Sequence, residues 1–333
     1  MKVLITGSTG FLGSRVVDLG LRAGWDVVAL VRPSTDLAAV PWDSEKVEII
    51  RGDLRQPGPW GDQIAAAGID VVVHLAAATS GDIGDQVVNT LVSTENLLAA
   101  LDHDRLRRFV HISTFSVYDY SSPRPGSLLD EESRIEPLPA RRDPYTQTKR
   151  AQEAAVRQAL GDRTELVILR PGAIYGPGAS WDHGAAVTLG RFALIFSPQA
   201  ELRLCHVDNC AAAVVEAVRS PEAAGEVVNL VDDDLPTHAE FFAMCRDRGM
   251  TSRIGVPVPW VAVDTVARLL ALLDRTRLGG AIKLPELLAH RRQQARWKPM
   301  RYTNQRAKDL LGWRPERSIS EGISTLADAG SNR

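Results

Sequence analysis

The chain has 333 residues, 44% hydrophobic and 24% charged, with a formal net charge of −2. That length is enough to bury the core of one large α/β domain or two smaller ones, and the near-neutral balance gives no electrostatic basis for nucleic acid as the main partner. Its three cysteines, Cys205, Cys210 and Cys245, stand in no CxxC spacing and read as reduced core thiols, so neither a disulfide framework nor a metal site is expected.

The first element is the apolar run Val3-Leu4-Ile5, a buried strand that ends in Thr6-Gly7-Ser8-Thr9-Gly10-Phe11-Leu12-Gly13. A strand that passes through a glycine turn into a helix aims the free N–H groups and positive end of that helix at a pyrophosphate. Gly7 suits the tight turn, Gly10 admits the phosphates to the backbone, and Gly13 lets the helix lie close to the strand. The first interval is wider than in G-x-G-x-x-G. The strand begins almost at Met1 without a charged leader and long apolar stretch, so no secretion signal is expected and a cytoplasmic small-molecule enzyme fits.

Further strands are expected at residues 26–31, 47–50, 70–76, 108–113, 165–169 and 226–230, with helical stretches between them. Continuous β-branched runs of this kind predict a parallel sheet covered on both faces, a doubly wound Rossmann-type α/β fold whose ligand lies beyond the carboxyl ends of the strands. From about Arg170 the pattern loosens into Gly- and Pro-rich loops, and from Thr237 it becomes mostly helical. The expected organisation is a dinucleotide-binding core over residues 1–170 and a smaller substrate-binding region over 171–333, with about 205–232 returning to the core. Residues 256–273 carry Asp264 and Arg268 at helical spacing and fall short of the ~20 apolar residues that span a bilayer, so they read as an amphipathic helix and no transmembrane segment is expected.

Two positions carry the cofactor and acid–base readings. The second strand ends in Val31 and Arg32, where an acid would bind a ribose 2′-hydroxyl and a base a 2′-phosphate; NADP(H) is therefore favoured over NAD(H), Asp36 lying beyond Pro33-Ser34-Thr35. Tyr145 and Lys149 follow Asp143-Pro144, a helix cap and first position, and share one face a turn apart. An ammonium beside a tyrosine favours the phenolate and fits the phenol for acid–base work.

Together with these, GDL at Gly52-Asp53-Leu54, HLAAAT at 74–79, HISTFSVY at 111–118, YTQTK at 145–149, RPGAIYGPG at 170–178 and HVDN at 206–209 resemble the extended short-chain dehydrogenase/reductase family, in its epimerase/dehydratase branch. The tail Leu310-Leu311-Gly312-Trp313-Arg314-Pro315 looks like the family's ending. The resemblance implies that Tyr145 exchanges a proton with the substrate oxygen, that Lys149 holds the nicotinamide ribose and lowers the tyrosine pKa, and that Thr114, with Ser113 as the alternative, bonds the reacting oxygen. It implies cofactor contacts at Gly7, Thr9, Gly10, Phe11, Leu12, Arg32, Asp53, Leu54, Ala76, Ala77, Ala78, Tyr145, Lys149, Pro171 and Ala173, with His206 and Asp208 structural. Two departures, Thr90 where the family's helix entry carries Asn and Ala173 where sugar-nucleotide epimerases carry Asn, argue against a nucleotide sugar, although Arg191, Arg203 and the stretch Arg291, Arg292, Arg296, Lys298 offer other phosphate ligands. The expected function is an NAD(P)-dependent oxidoreductase acting on an alcohol or ketone; the alternatives are a nucleotide-sugar epimerase or dehydratase and a non-catalytic dinucleotide sensor. The expected partner is a small-molecule substrate, and a homodimer is compatible with the sequence.

Overall fold

A computed structural model describes residues 1–161, 163–179, 184, 186–251, 253–275 and 289–331. In chain order the elements begin β1 (Lys2–Thr6), α1 (Phe11–Arg22), β2 (Asp26–Val31), β3 (Glu48–Arg51), α2 (Trp60–Ala67), β4 (Val71–His74) and α3 (Ile83–Gln86). A π-helical segment (Val87–Val92) runs into α4 (Ser93–Ala100), followed by β5 (Arg108–Ile112), β6 (Leu128–Leu129), α5 (Pro144–Leu160), β7 (Glu165–Pro171) and β8 (Ala173–Tyr175). The remainder is β9 (Ala186–Leu189), β10 (Phe192–Phe196), β11 (Leu204–His206), α6 (Val207–Arg219), β12 (Val227–Leu230), α7 (His238–Asp247) and β13 (Ile254–Val258), then α8 (Trp260–Arg275), α9 (His290–Trp297), β14 (Arg301–Tyr302), α10 (Gln305–Leu311) and α11 (Ile319–Ser331).

Seven strands form the main sheet in the order β12-β7-β5-β4-β1-β2-β3, every pairing parallel. Alternate residues of each strand face opposite sides. Val3 and Ile5 of β1 join Val16 and Val17 of α1 and Val214 and Val218 of α6 in one core, whereas Leu4 joins Ile64 of α2, Leu97 of α4 and Val156 of α5 in the other. Both faces are thus buried, which is why the strands read as unbroken apolar runs. The strand order reverses between β1 and β4, so the crevice that binds ligand in such sheets opens at Thr6 and His74, which are partners in register.

The structure ends two strands earlier than the sequence pattern suggests: β4 stops at His74 and β5 at Ile112. Leu75 N and Ser113 N each still donate to the adjacent strand, at the Thr6 and Leu169 carbonyls, and beyond them Ala76 N and Ala78 N turn to the hydroxyls of Thr6 and Thr90. Residues 256–258 belong to β13, which pairs with β10, and the helix expected over 256–273 begins only at Trp260. Pro257 and Pro259 explain the change, because each removes a backbone donor and pushes its predecessor into extended conformation. Asp264 and Arg268 do form the i,i+4 pair their spacing suggests, at 2.7 Å. No helix among the described residues is long and apolar enough to cross a membrane. The three cysteines are free and buried.

Strand β12 pairs with β7, and α6 is tied to the sheet by Arg108, which is 1% exposed. Its guanidinium donates to the carbonyls of Ala217, Val218 and Ser220 at 2.8, 3.0 and 2.7 Å and pairs with Glu165 at 2.7 Å. These carbonyls lie at the end of α6, where the helix cannot satisfy them itself. Arg108→Leu is expected to lower unfolding free energy by about 2–4 kcal/mol. Urea denaturation checks this, and a loss below about 0.5 kcal/mol contradicts it.

Candidate active site

The glycine turn is built by steric exclusion. Gly7 has φ +68°, and a Cβ there would lie 2.9 Å from the Ala76 nitrogen; a Cβ on Gly13 would lie 2.0 Å from the Gly7 carbonyl oxygen. Gly10 N donates to that same carbonyl at 3.0 Å, and Trp42 Nε1 fixes the turn from outside by donating to the Ser8 carbonyl at 3.0 Å. Gly10 is the N-cap of α1 and offers no side-chain bond, so the amide end of a twelve-residue helix opens on the crevice uncapped. A dinucleotide pyrophosphate fits this arrangement: backbone donors, a positive helix end and no side chain in the way.

Two cavities meet at this turn and share Gly7, Gly10, Leu75 and Ala77. The first, of about 480 Å³, is lined by Thr9, Arg32, Asp53, Leu54, Ala76 and Ala78 among others. The second, of about 650 Å³, takes in Phe11, Leu12, Thr114, Tyr145, Lys149, Pro171 and Ala173. Every residue assigned a cofactor or catalytic role from the sequence lines one of the two. In the first cavity Arg55 grips the Asp53 carboxylate at 2.9 and 2.5 Å and holds its pKa below the usual range, with Arg32 contributing. Arg51 fastens the loop after β2 through the Pro33 and Thr35 carbonyls at 3.0 and 3.1 Å. Asp36 turns to cap its own short helical turn, accepting from Ala38 N at 2.9 Å, and does not line the cavity.

In the second cavity the adjacent hydroxyls of Ser113 and Thr114 part ways. Ser113 Oγ donates to Glu153, whose carboxylate is held by Arg170 at 2.9 and 2.7 Å. Burial pushes the Glu153 carboxyl up, and Arg170 more than offsets it, leaving the group below its ordinary value. Thr114 accepts from Ser116 N at 3.2 Å and lines the same cavity as Tyr145. Asp143 caps α5 by accepting from Thr146 N at 2.9 Å, with Pro144 in the first turn, which places Tyr145 and Lys149 as their spacing suggests.

The electrostatics differ from the sequence expectation in one respect. Burial raises the Tyr145 pKa above the ordinary tyrosine value, the neighbouring Thr114 hydroxyl opposing it, and Lys149 is not among the groups acting on it. Lys149 Nζ donates to the Ile112 carbonyl at 2.5 Å and to Gln152 Oε1. Burial pulls Lys149 itself down to about 7, with Glu153 opposing. The expectation that Lys149 lowers the Tyr145 pKa is therefore not met in this geometry.

Several residues around the site were not legible as functional. Thr90 replaces the family's Asn and accepts from Ala78 N at 3.0 Å, so its hydroxyl supports the loop that lines the cofactor cavity. His74, Thr94 and Gln152 form a buried polar cluster beneath Lys149. Gln152 falls one turn after Lys149, a spacing that marks it as a neighbour. Of the basic residues considered for phosphate, Arg291 is spent on Glu136 at 2.5 Å, Lys298 on the Tyr120 carbonyl at 2.9 Å, and only Arg203 lines the cavity. His206 caps α6, accepting from Asp208 N at 3.3 Å, a structural position. No group of His, Cys, Asp and Glu among the described residues is placed to hold a metal.

A parallel sheet with an uncapped helix at its switch point and a tyrosine–lysine helix beside it defines an NAD(P)-dependent enzyme of Rossmann type. The NAD dependent epimerase/dehydratase family model matches residues 3–230, and the chain belongs to that family. Over 347 residues it is 28% identical to a 4-hydroxy-2-methyl-3-oxo-4-farnesyl-3,4-dihydroquinoline-1-oxide ketoreductase of Stigmatella aurantiaca, covering 99% of this chain and 97% of that protein. Over 344 residues it is 28% identical to a 2-alkyl-3-oxoalkanoate reductase of Stenotrophomonas maltophilia, covering 98% of each. Other relatives include a dehydratase and an epimerase. Among solved structures, a UDP-glucuronic acid 4-epimerase from Bacillus cereus in complex with NAD shares the fold with a TM-score of 0.71 and 22% identity, over 100% of this chain and 99% of that one.

Gly13→Ala is expected to displace α1 from the Gly7 carbonyl and weaken binding of the nicotinamide dinucleotide at least about tenfold, since a clash this close moves backbone. Fluorescence titration of the folded variant tests this, and an unchanged Kd contradicts it.

Proposed function

We propose that the protein is an oxidoreductase that favours NADP(H) and acts on an alcohol or ketone carbon, with Tyr145 as proton donor and acceptor. The observation that carries the reading is that Tyr145, Thr114 and Lys149 line one wall of a cavity continuous with the glycine turn. In the reductive direction Tyr145 Oη gives its proton to the carbonyl oxygen, and Thr114 Oγ1 orients that oxygen by a second hydrogen bond. Lys149, Gly7, Gly10, Phe11, Leu12, Pro171 and Ala173 hold the cofactor on this side. Bound NADP(H) supplies or receives hydride at the substrate carbon. Ser113 is already engaged by Glu153, which favours Thr114 for the substrate.

The NADP(H) preference draws support from exposed Arg32 at the end of β2, beside Ser34 and Arg55, and from Asp36 being committed to its own turn. The division into a core over residues 1–170 and a substrate region over 171–333, with 205–232 returning, is supported by β12 in the main sheet and α6 in the core that α1 covers. Two full-length relatives are named for reducing oxo compounds, which favours a ketone substrate.

Arg203 favours a second reading. Its guanidinium stands over the Tyr120 ring at 5.3 Å, lies 3.5 Å from the Tyr302 hydroxyl, and pairs with no carboxylate among the described residues. A cation so placed suits a substrate carboxylate, or the diphosphate of a nucleotide sugar in an epimerase or dehydratase.

Tyr145→Phe is expected to cut turnover by about two to four orders of magnitude while leaving NADPH affinity within about twofold, because the ring stays and the transferable proton goes. Near-normal turnover in the folded variant removes Tyr145 from the mechanism. Arg32→Ala is expected to weaken NADPH binding by about 1.5–3 kcal/mol and NADH binding little, as NADH lacks the 2′-phosphate. Calorimetric titration of both cofactors decides; equal losses, or a wild-type preference for NADH, overturn the NADP(H) reading.

A further inference from the structure

We infer that Gln152 is a positioning residue that aims the Lys149 ammonium at the cofactor cavity and ties it to the strand-end loop lining that cavity. The inference rests on the proposed role of Lys149 in holding the cofactor.

Hydrogen-bond accounting fixes the orientation of the Gln152 amide. Gln152 is fully buried. Thr94 Oγ1 donates its one proton to the Thr90 carbonyl at 2.6 Å and is left only to accept. It lies 2.7 Å from Gln152 Nε2 and 2.9 Å from His74 Nε2, so both of those nitrogens carry the hydrogens and their own 3.1 Å approach is a contact between donors, not a bond. His74 Nδ1 then accepts from Thr6 Oγ1 at 2.7 Å, as a neutral imidazole must; burial pulls His74 down to about 3. Gln152 Nε2 also approaches the Ala76 carbonyl at 3.4 Å, and Ala76 N donates to Thr6 Oγ1 at 3.3 Å. With its nitrogen so surrounded, Gln152 can offer Lys149 nothing but its oxygen.

An ammonium has three donors. The Ile112 carbonyl and Gln152 Oε1 take two, and the third has no partner among the described residues, while Lys149 lines the cavity. Gln152 thus leaves one N–H for the cofactor. The same chain of bonds runs through Thr94, His74 and Thr6 to Ala76, whose backbone lines the other cavity. The remaining charged and titratable groups facing Lys149 are Tyr145 and Glu153 on its own helix, His74 on β4, His111 on β5, and Arg170 on β7, which is paired with Glu153. Of these only His74 also touches Gln152, at 3.1 Å, and burial keeps its imidazole neutral across the range tested.

The test measures binding of NADH, which lacks the 2′-phosphate that titrates at ~6, by fluorescence from pH 5.5 to 9.5 for the wild type, Lys149→Ala, Gln152→Glu and Gln152→Met, each checked for fold by circular dichroism. Wild-type affinity is expected to weaken as pH rises through the Lys149 titration, and Lys149→Ala to abolish that dependence. Gln152→Glu puts an anion beside the ammonium and should move the dependence about one unit alkaline. Gln152→Met removes an acceptor at similar length and should move it about one unit acid. A general packing defect does not produce opposite shifts. Should Gln152→Met fail to fold, the direction of the Gln152→Glu shift decides alone. A dependence abolished in Lys149→Ala but unmoved, or moved the same way, in both Gln152 variants overturns the inference and leaves the role of Lys149 standing. A dependence that persists in Lys149→Ala overturns that role and the inference with it.

Discussion

No Cβ fits between Gly13 and the Gly7 carbonyl, and the rest of the site depends on that close approach. With 2.0 Å separating the oxygen from where a Cβ would stand, α1 lies against the turn that ends β1. Its amide end is thereby held at the edge of the sheet where the strand order reverses. A side chain at either glycine would push the helix outward and close the space that a pyrophosphate needs. The left-handed backbone of Gly7 also brings the turn against the Ala76 nitrogen, so the loop after β4 packs on the same point. One steric constraint thus places the phosphate site, the start of α1 and the wall between the two cavities.

Around this point the structure resolves a conflict common to buried active sites: polar groups needed for chemistry must be satisfied without being used up. Ser113 and Thr114 are successive residues that point to opposite sides as strand β5 ends, one into the Glu153–Arg170 pair and the other toward Tyr145. Lys149 is satisfied twice and left one donor short. Tyr145, raised by burial, keeps its proton through neutral pH, the state a proton donor to a carbonyl requires. Thr90 and Thr94, four apart and so on one helix face, serve the same end by receiving Ala78 N and Gln152.

The sheet and the glycine turn were legible because their causes are local. Strands buried on both faces leave unbroken β-branched runs, and a turn that excludes side chains leaves glycines. The capped start of α5 was legible for the same reason: Asp143 and Pro144 announce it, and Tyr145 and Lys149 follow at helical spacing. What sequence did not reveal depends on contacts across long separations. The Lys149 ammonium is held by a carbonyl on β5 and by a glutamine that owes its orientation to β4 and α4. Trp42 reaches Ser8 across 34 residues, and Arg108 reaches the end of α6 across more than 100. The helix placed at 256–273 was misread at its start because apolar periodicity does not register the prolines at 257 and 259 that keep that stretch extended.

The central claim is that hydride leaves the cofactor for good and a proton from Tyr145 accompanies it. Incubating the enzyme with NADPH carrying two deuteriums at C4 of the nicotinamide, and a panel of 3-oxo acids, simple ketones and nucleotide sugars, tests it by mass spectrometry of products and cofactor. The account predicts one deuterium on the carbinol carbon of an alcohol product for each NADP⁺ formed. Conversion of a nucleotide sugar to an isomer or dehydrated product, with no net NADP⁺ and no deuterium retained from free cofactor, would contradict it.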